Sequence, residues 1–130
     1  MRQREIEVIL TRQLASYLAL PIFIVDEDGT LIFYNEPAEA ILGQRFEETG
    51  EMPADEWAQA YTVTADDGTP VAPESLPLTI ALRQHRPAHG RLTMVGRDLV
   101  RRQIEITAFP LTGQSGRHLG AVAIFWEIPS

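Results

Sequence analysis

Cysteine and lysine are both absent from the 130-residue chain, and their absence narrows the chemistry that it can perform. Without cysteine there is no disulfide, no thiolate metal ligand, no cysteine nucleophile and no attachment point for a cysteine-linked chromophore. The composition, with 45% hydrophobic and 22% charged residues, is that of an ordinary soluble protein. A chain of this length is expected to form one domain with its own core.

Long hydrophobic runs are missing as well. The two longest, Leu18–Val25 and Leu119–Trp126, have eight residues each, whereas a membrane-spanning helix needs about 20. The first residues, Met-Arg-Gln-Arg-Glu, do not lead into the apolar segment of a signal peptide. We therefore expect a cytoplasmic protein that does not bind membranes.

Positive charge is scarce in the middle of the chain. Residues 26–74 hold one arginine and thirteen acidic residues, a net charge of −12, while residues 1–25 carry +1 and residues 75–130 carry +4. The sum is −7. Because such a surface would repel phosphates over most of its area, we expect no nucleic-acid partner.

Residues 1–18 are interpreted as an amphipathic N-terminal helix that precedes a domain over residues 19–130. At 100° per residue, the large apolar side chains of Gln3–Leu18 fall on one half of the helical wheel. Pro21 ends this helix because proline cannot continue it.

An acidic turn at residues 26–29 separates the apolar runs Ile22–Val25 and Leu31–Tyr34. It ends in Asp-Gly, which predicts a hairpin because glycine adopts positive φ at little cost. Asn35 follows the second run, where its side chain can cap a helix that stops at Gly43.

The predicted strands differ in their patterns. Residues 22–25, 31–34 and 120–126 are apolar on both faces, whereas residues 91–96 and 103–108 alternate between apolar and polar. Strands that are apolar on both faces must be covered on both. Short helices from the middle of the chain can cover one face, and only the N-terminal helix or a partner remains for the other.

Three segments resemble parts of PAS domains. Residues 21–43 (PIFIVDEDGTLIFYNEPAEAILG) are similar to the opening of that fold, and residues 66–87 (DDGTPVAPESLPLTIALRQHRP) to the middle of PAS domains in bacterial sensor kinases. Residues 104–128 (IEITAFPLTGQSGRHLGAVAIFWEI) are similar to the last hairpin, with Glu127 where the family usually has aspartate.

The resemblance implies an α+β fold. Its five-stranded antiparallel sheet would have the strand order 2-1-5-4-3, with short helices on one face and the N-terminal amphipathic helix on the other. The function it implies is that of a non-enzymatic sensory or protein-interaction module in bacterial signal transduction, for example in a two-component system.

A pocket between the sheet and the short helices is also implied by the resemblance. Its expected lining residues are Phe23, Val25, Ile32, Tyr34, Ala38, Ile41, Leu82, Leu92, Met94, Ile104, Ile106, Ala121, Ala123 and Phe125. Tyr34 is the one hydroxyl among them. A lining of this kind fits a small apolar ligand, and it fits equally a packed core without a ligand.

The alternative function is that of a haem- or flavin-type cofactor carrier acting as a redox or gas sensor. Haem-binding family members use a histidine on the helix before the third long strand, and His85 is the nearest candidate. At a helix C-terminus, however, we expect His85 to be exposed. Covalent flavin photochemistry is excluded because it needs the missing cysteine.

Metal binding and catalysis are not expected. Pro87 breaks the helical spacing that His85 and His89 would need to share a metal ion. The carboxylates considered for proton transfer, Asp26, Glu105 and Glu127, are predicted at a turn, a wet sheet face and a strand end, where solvated acids are normal.

The apolar surplus on the outer sheet face predicts a homodimer, because monomers avoid large exposed apolar patches. The expected interface residues are Ile6, Ile9, Leu10, Leu14, Tyr17, Val122, Ile124 and Trp126, with Ile22, Ile24, Leu31 and Phe33 on the same sheet face. In the alternative arrangement each helix folds back on its own sheet and closes a monomer. A histidine kinase or another effector is the expected further partner.

Overall fold

The computed structural model describes residues 6–56, 62–65, 67–95 and 99–128. Its helices are α1 (Ile6–Tyr17), α2 (Glu36–Leu42), α3 (Phe46–Thr49) and α4 (Pro77–Gln84). Its strands are β1 (Ile22–Asp26), β2 (Leu31–Tyr34), β3 (Thr62–Thr64), β4 (Ala88–Val95), β5 (Arg101–Thr112) and β6 (His118–Glu127). Among the described residues, no helix is long and apolar enough to cross a membrane.

The six strands form one antiparallel sheet of order β2-β1-β6-β5-β4-β3. Without β3, the other five have the predicted order 2-1-5-4-3, and the α+β fold prediction is confirmed. The prediction of five strands was one short. The additional strand, β3, has only three residues and pairs with Thr93–Val95 at the end of β4.

The hairpin between β1 and β2 is confirmed. Asp26 Oδ1 accepts hydrogen bonds from the main-chain N–H groups of Asp28 and Thr30, both at 3.0 Å. Gly29 adopts φ +84°, as the Asp-Gly signal predicts. The carboxylate of Asp26 therefore shapes the turn.

A bulge in this hairpin changes which side chains of β2 face the helices. Ile24 pairs with Phe33, but Val25 pairs with Leu31, so Ile32 is the additional residue. One additional residue reverses the alternation along a strand. Leu31 consequently lies on the face toward α2 and α4, and Ile32 on the opposite face. The predictions for Leu31 and Ile32 were both wrong for this reason.

Two hydrophobic clusters cover the two faces of the sheet. The inner core lies toward α2 and α4 and contains Phe23, Val25, Leu31, Tyr34, Ala38, Leu42, Met52, Leu78, Ala81, Leu92, Met94, Ile104, Ile106, Ala108, Ala121, Ala123 and Phe125. The outer core lies toward α1 and contains Val8, Ala15, Ile22, Ile24, Ile32, Leu119 and Val122, with Phe33, Leu111 and Ile124 at its margin. The central strands therefore carry apolar side chains on both faces, as their pattern predicts.

Helix α1 packs on the outer core by its narrower apolar face. Val8 and Ala15 are its buried residues, and they lie roughly 180° around the helix from the broad apolar stripe. Val122 is buried beneath α1 and Ile124 is half-buried beside it. Trp126, also half-buried, has its ring 6.2 Å from that of His89. Val122 is therefore covered by α1 of its own chain, whereas Ile124 and Trp126 keep part of their surface exposed and stay predicted interface residues.

Candidate functional site

A small cavity lies within the inner core, between the sheet and the start of α4. Its volume is about 60 Å³. Its lining consists of Phe23, Val63, Leu76, Pro77, Leu78, Leu92, Met94, Ile104, Ile106 and Phe125. Every one of these side chains is apolar, so the cavity offers a ligand shape and dispersion contacts but no side-chain hydrogen bond.

Thirteen of the fourteen predicted pocket residues belong to the inner core or, like Ile41 and Leu82, pack against it; Ile32 does not. Only six border the cavity itself: Phe23, Leu92, Met94, Ile104, Ile106 and Phe125. The lining residues that sequence reasoning missed are Val63, Leu76, Pro77 and Leu78. Proline at the first position of α4 was visible as a helix signal, but nothing local to it indicates a cavity.

Tyr34 does not supply a hydroxyl to this cavity. Its Oη donates to the main-chain oxygen of Gln44 (3.0 Å) and lies 3.2 Å from Thr49 Oγ1. Its ring packs edge-on against Phe23 and Phe46, with centroids 5.8 and 5.3 Å apart. Tyr34 therefore ties the connection between α2 and α3 to the sheet.

Ala38 and Val63 give a direct test of where the free space lies. Ala38 is fully buried and away from the cavity, so Ala38→Leu is expected to overpack the core and cost about 1–3 kcal/mol. Val63→Leu adds one methylene at the cavity and is expected to stabilise the domain by about 0.5–1 kcal/mol. Urea denaturation measures both variants. A stabilising Ala38→Leu would place the free space beside α2 instead.

The cavity does not fit a haem or a flavin. Cofactor sites usually have about 300–1,000 Å³ and a few placed polar groups, whereas this one has about 60 Å³ and an apolar lining. His85, the haem candidate, lies outside the lining and is exposed. Its ring stacks on that of His118, with the centroids 3.5 Å apart. These residues therefore give no axial ligand to a group in the cavity.

The carboxylates considered for catalysis have structural contacts. Asp26 holds the β1–β2 turn, Glu105 pairs with Arg91 (3.3 Å), and Glu127 lies 3.5 Å from Arg102 Nε. The residues described by the structure contain no cluster of three or more metal-ligating side chains.

Among the described residues, the carboxyl group of Asp67 has a lowered pKa. The hydroxyl and the N–H of Thr69 both donate to Asp67, and they lower the pKa of that carboxyl. This turn is exposed and is not part of the cavity lining. The displacement therefore reflects local turn geometry.

Arg102 joins α2 to the sheet at the end of the inner face. Its Nη1 donates to the main-chain oxygen of Ile41 at 2.8 Å, in the last turn of α2, where carbonyl groups lack helical partners. Since its Nε is also close to Glu127, this arginine links α2 to the end of β6.

A second, open groove lies between α1, β2, α2 and α3. Its volume is about 350 Å³, and Arg12, Phe33, Asn35, Glu36 and Phe46 are among its lining residues. The guanidinium of Arg12 lies over both rings, 4.8 Å from the centroid of Phe33 and 5.5 Å from that of Phe46. Arg12 thus joins α1 to the core through its cationic head.

The exposed side of α1 carries five large apolar side chains. Its residues are Ile6, Ile9, Leu10, Leu14 and Tyr17, with exposed fractions from 44% for Ile9 to 86% for Tyr17. We call this set the α1 stripe. Monomeric proteins seldom leave so many large apolar side chains together in water.

Comparison with known proteins gives one family match and many solved structures of similar fold. Residues 19–128 match the family described as PAS domain. No curated protein sequence matches the chain.

Three solved structures illustrate the likeness in fold. The PAS domain of Bordetella pertussis BvgS has a TM-score of 0.73 at 15% identity, covering 97% of this chain and 89% of that one. A PAS domain from a two-component sensor histidine kinase has a TM-score of 0.63 at 13% identity, covering 97% and 100%. The light-state dimer of the fungal blue-light photoreceptor Vivid has a TM-score of 0.63 at 12% identity, covering 98% and 97%.

Proposed function

Because the chain belongs to the PAS family, whose members are signal-sensing modules, we propose that it is a non-enzymatic sensory module that works as a homodimer joined through α1. The α1 stripe carries this proposal. It lies opposite the face by which α1 docks on its own sheet, so α1 can cover the outer core and contact a second copy at the same time. Two such stripes meeting around a two-fold axis would cover each other.

The ligand class that the inner cavity fits is a small apolar molecule. Its volume of about 60 Å³ is well below that of drug-sized ligand sites. The lining gives no polar group that would select a charged or strongly hydrogen-bonding compound. We therefore propose that any signal sensed in the cavity is the presence of a molecule with few heavy atoms.

The central strands give a route from the cavity to α1. On β1, Phe23 borders the cavity, while its neighbours Ile22 and Ile24 belong to the outer core beneath α1. On β6, Phe125 borders the cavity, while its neighbour Ile124 packs at the margin of the outer core. A displacement of these strands by a ligand would therefore shift the surface on which α1 rests, and with it the pairing of two copies.

The downstream partner proposed for this module is a histidine kinase or another effector of bacterial signal transduction. One solved neighbour comes from a two-component sensor histidine kinase, and another was solved as a light-state dimer. Both the family and these neighbours support a module that changes the arrangement of a larger assembly.

Light scattering on the intact chain tests the dimer. We expect a mass twice that of the 14.5 kDa chain. Leu10→Glu combined with Leu14→Glu places two charges in the α1 stripe and is expected to give the monomer, with the free energy of unfolding of each chain nearly unchanged because both positions are exposed.

The matched control adds the same two charges elsewhere. Ala40→Glu combined with Gln84→Glu changes exposed positions on α2 and α4, and this variant should remain dimeric. A 14.5 kDa particle for the intact chain at every concentration would refute the proposal, and so would a dimer that survives the stripe substitutions.

A further inference from the structure

The side chain of Asn35 is buried at the junction of four segments, and its amide is fully hydrogen-bonded. Its Oδ1 accepts from the main-chain N–H groups of Ile22 (3.0 Å) and Ala38 (3.3 Å). Its Nδ2 donates to the main-chain oxygens of Ala15 (2.9 Å) and Leu20 (2.8 Å). Two donors and two acceptor positions are all that a side-chain amide has.

The two ends of this amide act on different parts of the fold. The oxygen binds two groups of the PAS core, because the N–H of Ala38 is in the first turn of α2 and the N–H of Ile22 is at the start of β1. The nitrogen serves the N-terminal segment, because Ala15 lies in the last turn of α1 and Leu20 in the connection to β1. One side chain therefore caps α2 and binds the end of α1 at the same time.

The other described attachments of α1 are small or exposed. Its buried side chains are a valine and an alanine, Val8 and Ala15. Near its start, Glu7 Oε2 accepts from the N–H of Gln114 at 3.1 Å in an exposed position. Arg12 adds its contact with two rings at the open groove. The two bonds from Asn35 Nδ2 are thus the best buried polar contacts of the N-terminal segment.

We propose that the amide nitrogen of Asn35 is a latch that holds α1 on the outer sheet face, separable from the capping of α2 by the amide oxygen. Docking of α1 on its own sheet does not depend on pairing of two copies. The consequence of the latch for signalling rests on the proposed function. Release of α1 would move the α1 stripe away from the core and would thereby change the pairing of two copies.

Asn35→Asp tests the two functions of the amide separately, because it removes the hydrogen-bond donor and keeps the acceptor. Aspartate keeps oxygen acceptors for Ile22 and Ala38, but it places a second oxygen where Nδ2 donated to two carbonyl oxygens. At about pH 8 an ordinary carboxyl group is ionised, so it cannot donate in place of the amide. Asn35→Ser is the neutral counterpart, since serine caps helices as well as asparagine but has no amide nitrogen.

Hydrogen–deuterium exchange measures the outcome segment by segment. The variants are made in the full chain carrying Leu10→Glu and Leu14→Glu, so that protection of α1 reports docking on its own sheet and not pairing. In both Asn35 variants we expect the amides of residues 6–17 to exchange at least about tenfold faster, because two buried hydrogen bonds are lost. The amides of α2 should keep their protection.

Trypsin gives an independent reading, since Arg12 is its cleavage site in α1. Cleavage after Arg12 should accelerate in parallel with the exchange. Glu7→Gln, which weakens only the exposed contact with Gln114, serves as the control and should change both rates little. Unchanged exchange of α1 in both Asn35 variants would overturn the latch, and so would equal loss of protection in α1 and α2.

Failure of the latch and failure of the dimer are distinguishable. If the unsubstituted chain is a monomer, the dimer proposal is wrong, but the exchange experiment on α1 still tests the latch. Equal exchange of α1 with and without the Asn35 substitutions in the stripe-substituted chain, together with a dimeric unsubstituted chain, would contradict only the latch.

Discussion

Gly120→Ala is expected to destabilise the domain severely. Gly120 lies on β6 opposite Asp26 of β1, with φ +147°. A Cβ at this position would lie 2.0 Å from the main-chain oxygen of Val25 and 2.9 Å from Asp26 Cα. Because both contacts are with backbone, relief requires either that β1 moves away from β6 or that the backbone angles of Gly120 change, and both disturb the pairing of the two strands.

The expected cost exceeds about 4 kcal/mol, a large part of the roughly 5–15 kcal/mol that stabilises a typical domain. Circular dichroism and urea denaturation of the purified variant measure it. Gly116→Ala is the matched control. Gly116 also has positive φ, at +71°, but nothing lies within 4 Å of its added Cβ, so its cost should be about 1–2 kcal/mol. Equal effects of the two substitutions would show that the close approach of β1 and β6 is not as described.

Phe125→Ala is expected to cost about 3–5 kcal/mol and to create a binding site for benzene. Phe125 is 1% exposed, lines the cavity and packs its ring 5.1 Å from that of Phe23. Its removal adds the space of a phenyl ring to about 60 Å³. Apolar cavities of about 150 Å³ bind benzene in other proteins, whereas the wild-type cavity should be too small.

Urea denaturation with and without benzene distinguishes the enlarged cavity of Phe125→Ala from the small cavity of the wild-type chain. Benzene at ten times its dissociation constant should stabilise Phe125→Ala by about 1.4 kcal/mol and leave the wild-type chain unchanged. Phe125→Leu keeps most of the volume, so it should cost less and show no benzene effect. If benzene stabilises the wild-type chain, the cavity admits larger ligands than its volume indicates. If it fails to stabilise Phe125→Ala, the inner core collapses into the space.

Local signals in the sequence predicted much of the fold. The Asp-Gly turn, the capping asparagine and the apolar pattern of β1 and β6 each act over a few residues, so the chain itself shows them. The bulge at Ile32 could not be read in this way. Its position depends on how β2 pairs with β1, and an apolar run such as Leu31–Phe33 has the same pattern in either register.

The docking of α1 was predicted in outline but not in detail. Periodicity identified the broad stripe, and the broader apolar face of a helix is usually the buried one. In the structure the stripe is exposed, and the buried contact uses Val8 and Ala15. Their small size lets α1 approach the sheet, and the hydrogen bonds from Asn35 add to the contact. Neither the fit of two surfaces nor a bond across twenty residues is visible in periodicity.

In the candidate site, too, local patterns predicted some residues, while others depend on tertiary packing. The inner faces of β4 and β5 followed from their alternation of apolar and polar residues. The inner face of β6, a strand that is apolar on both faces, was implied only by the resemblance to PAS domains. Inner residues of all three strands line the cavity. Val63, Leu76, Pro77 and Leu78 could not be identified, because they come from a short edge strand and from the start of α4. What they enclose depends on how α4 crosses the sheet.

The position of β6 has a consequence for the synthesis of the protein. It follows the other five strands along the chain, yet it lies between β1 and β5 at the centre of the sheet. Until a ribosome has released β6, β1 and β2 can form only an isolated hairpin, apolar on both faces, which is marginally stable in water. The complete sheet therefore cannot form before β6 emerges, because only β6 joins the β1–β2 hairpin to β5. During that interval the first two strands are exposed to aggregation and to chaperones.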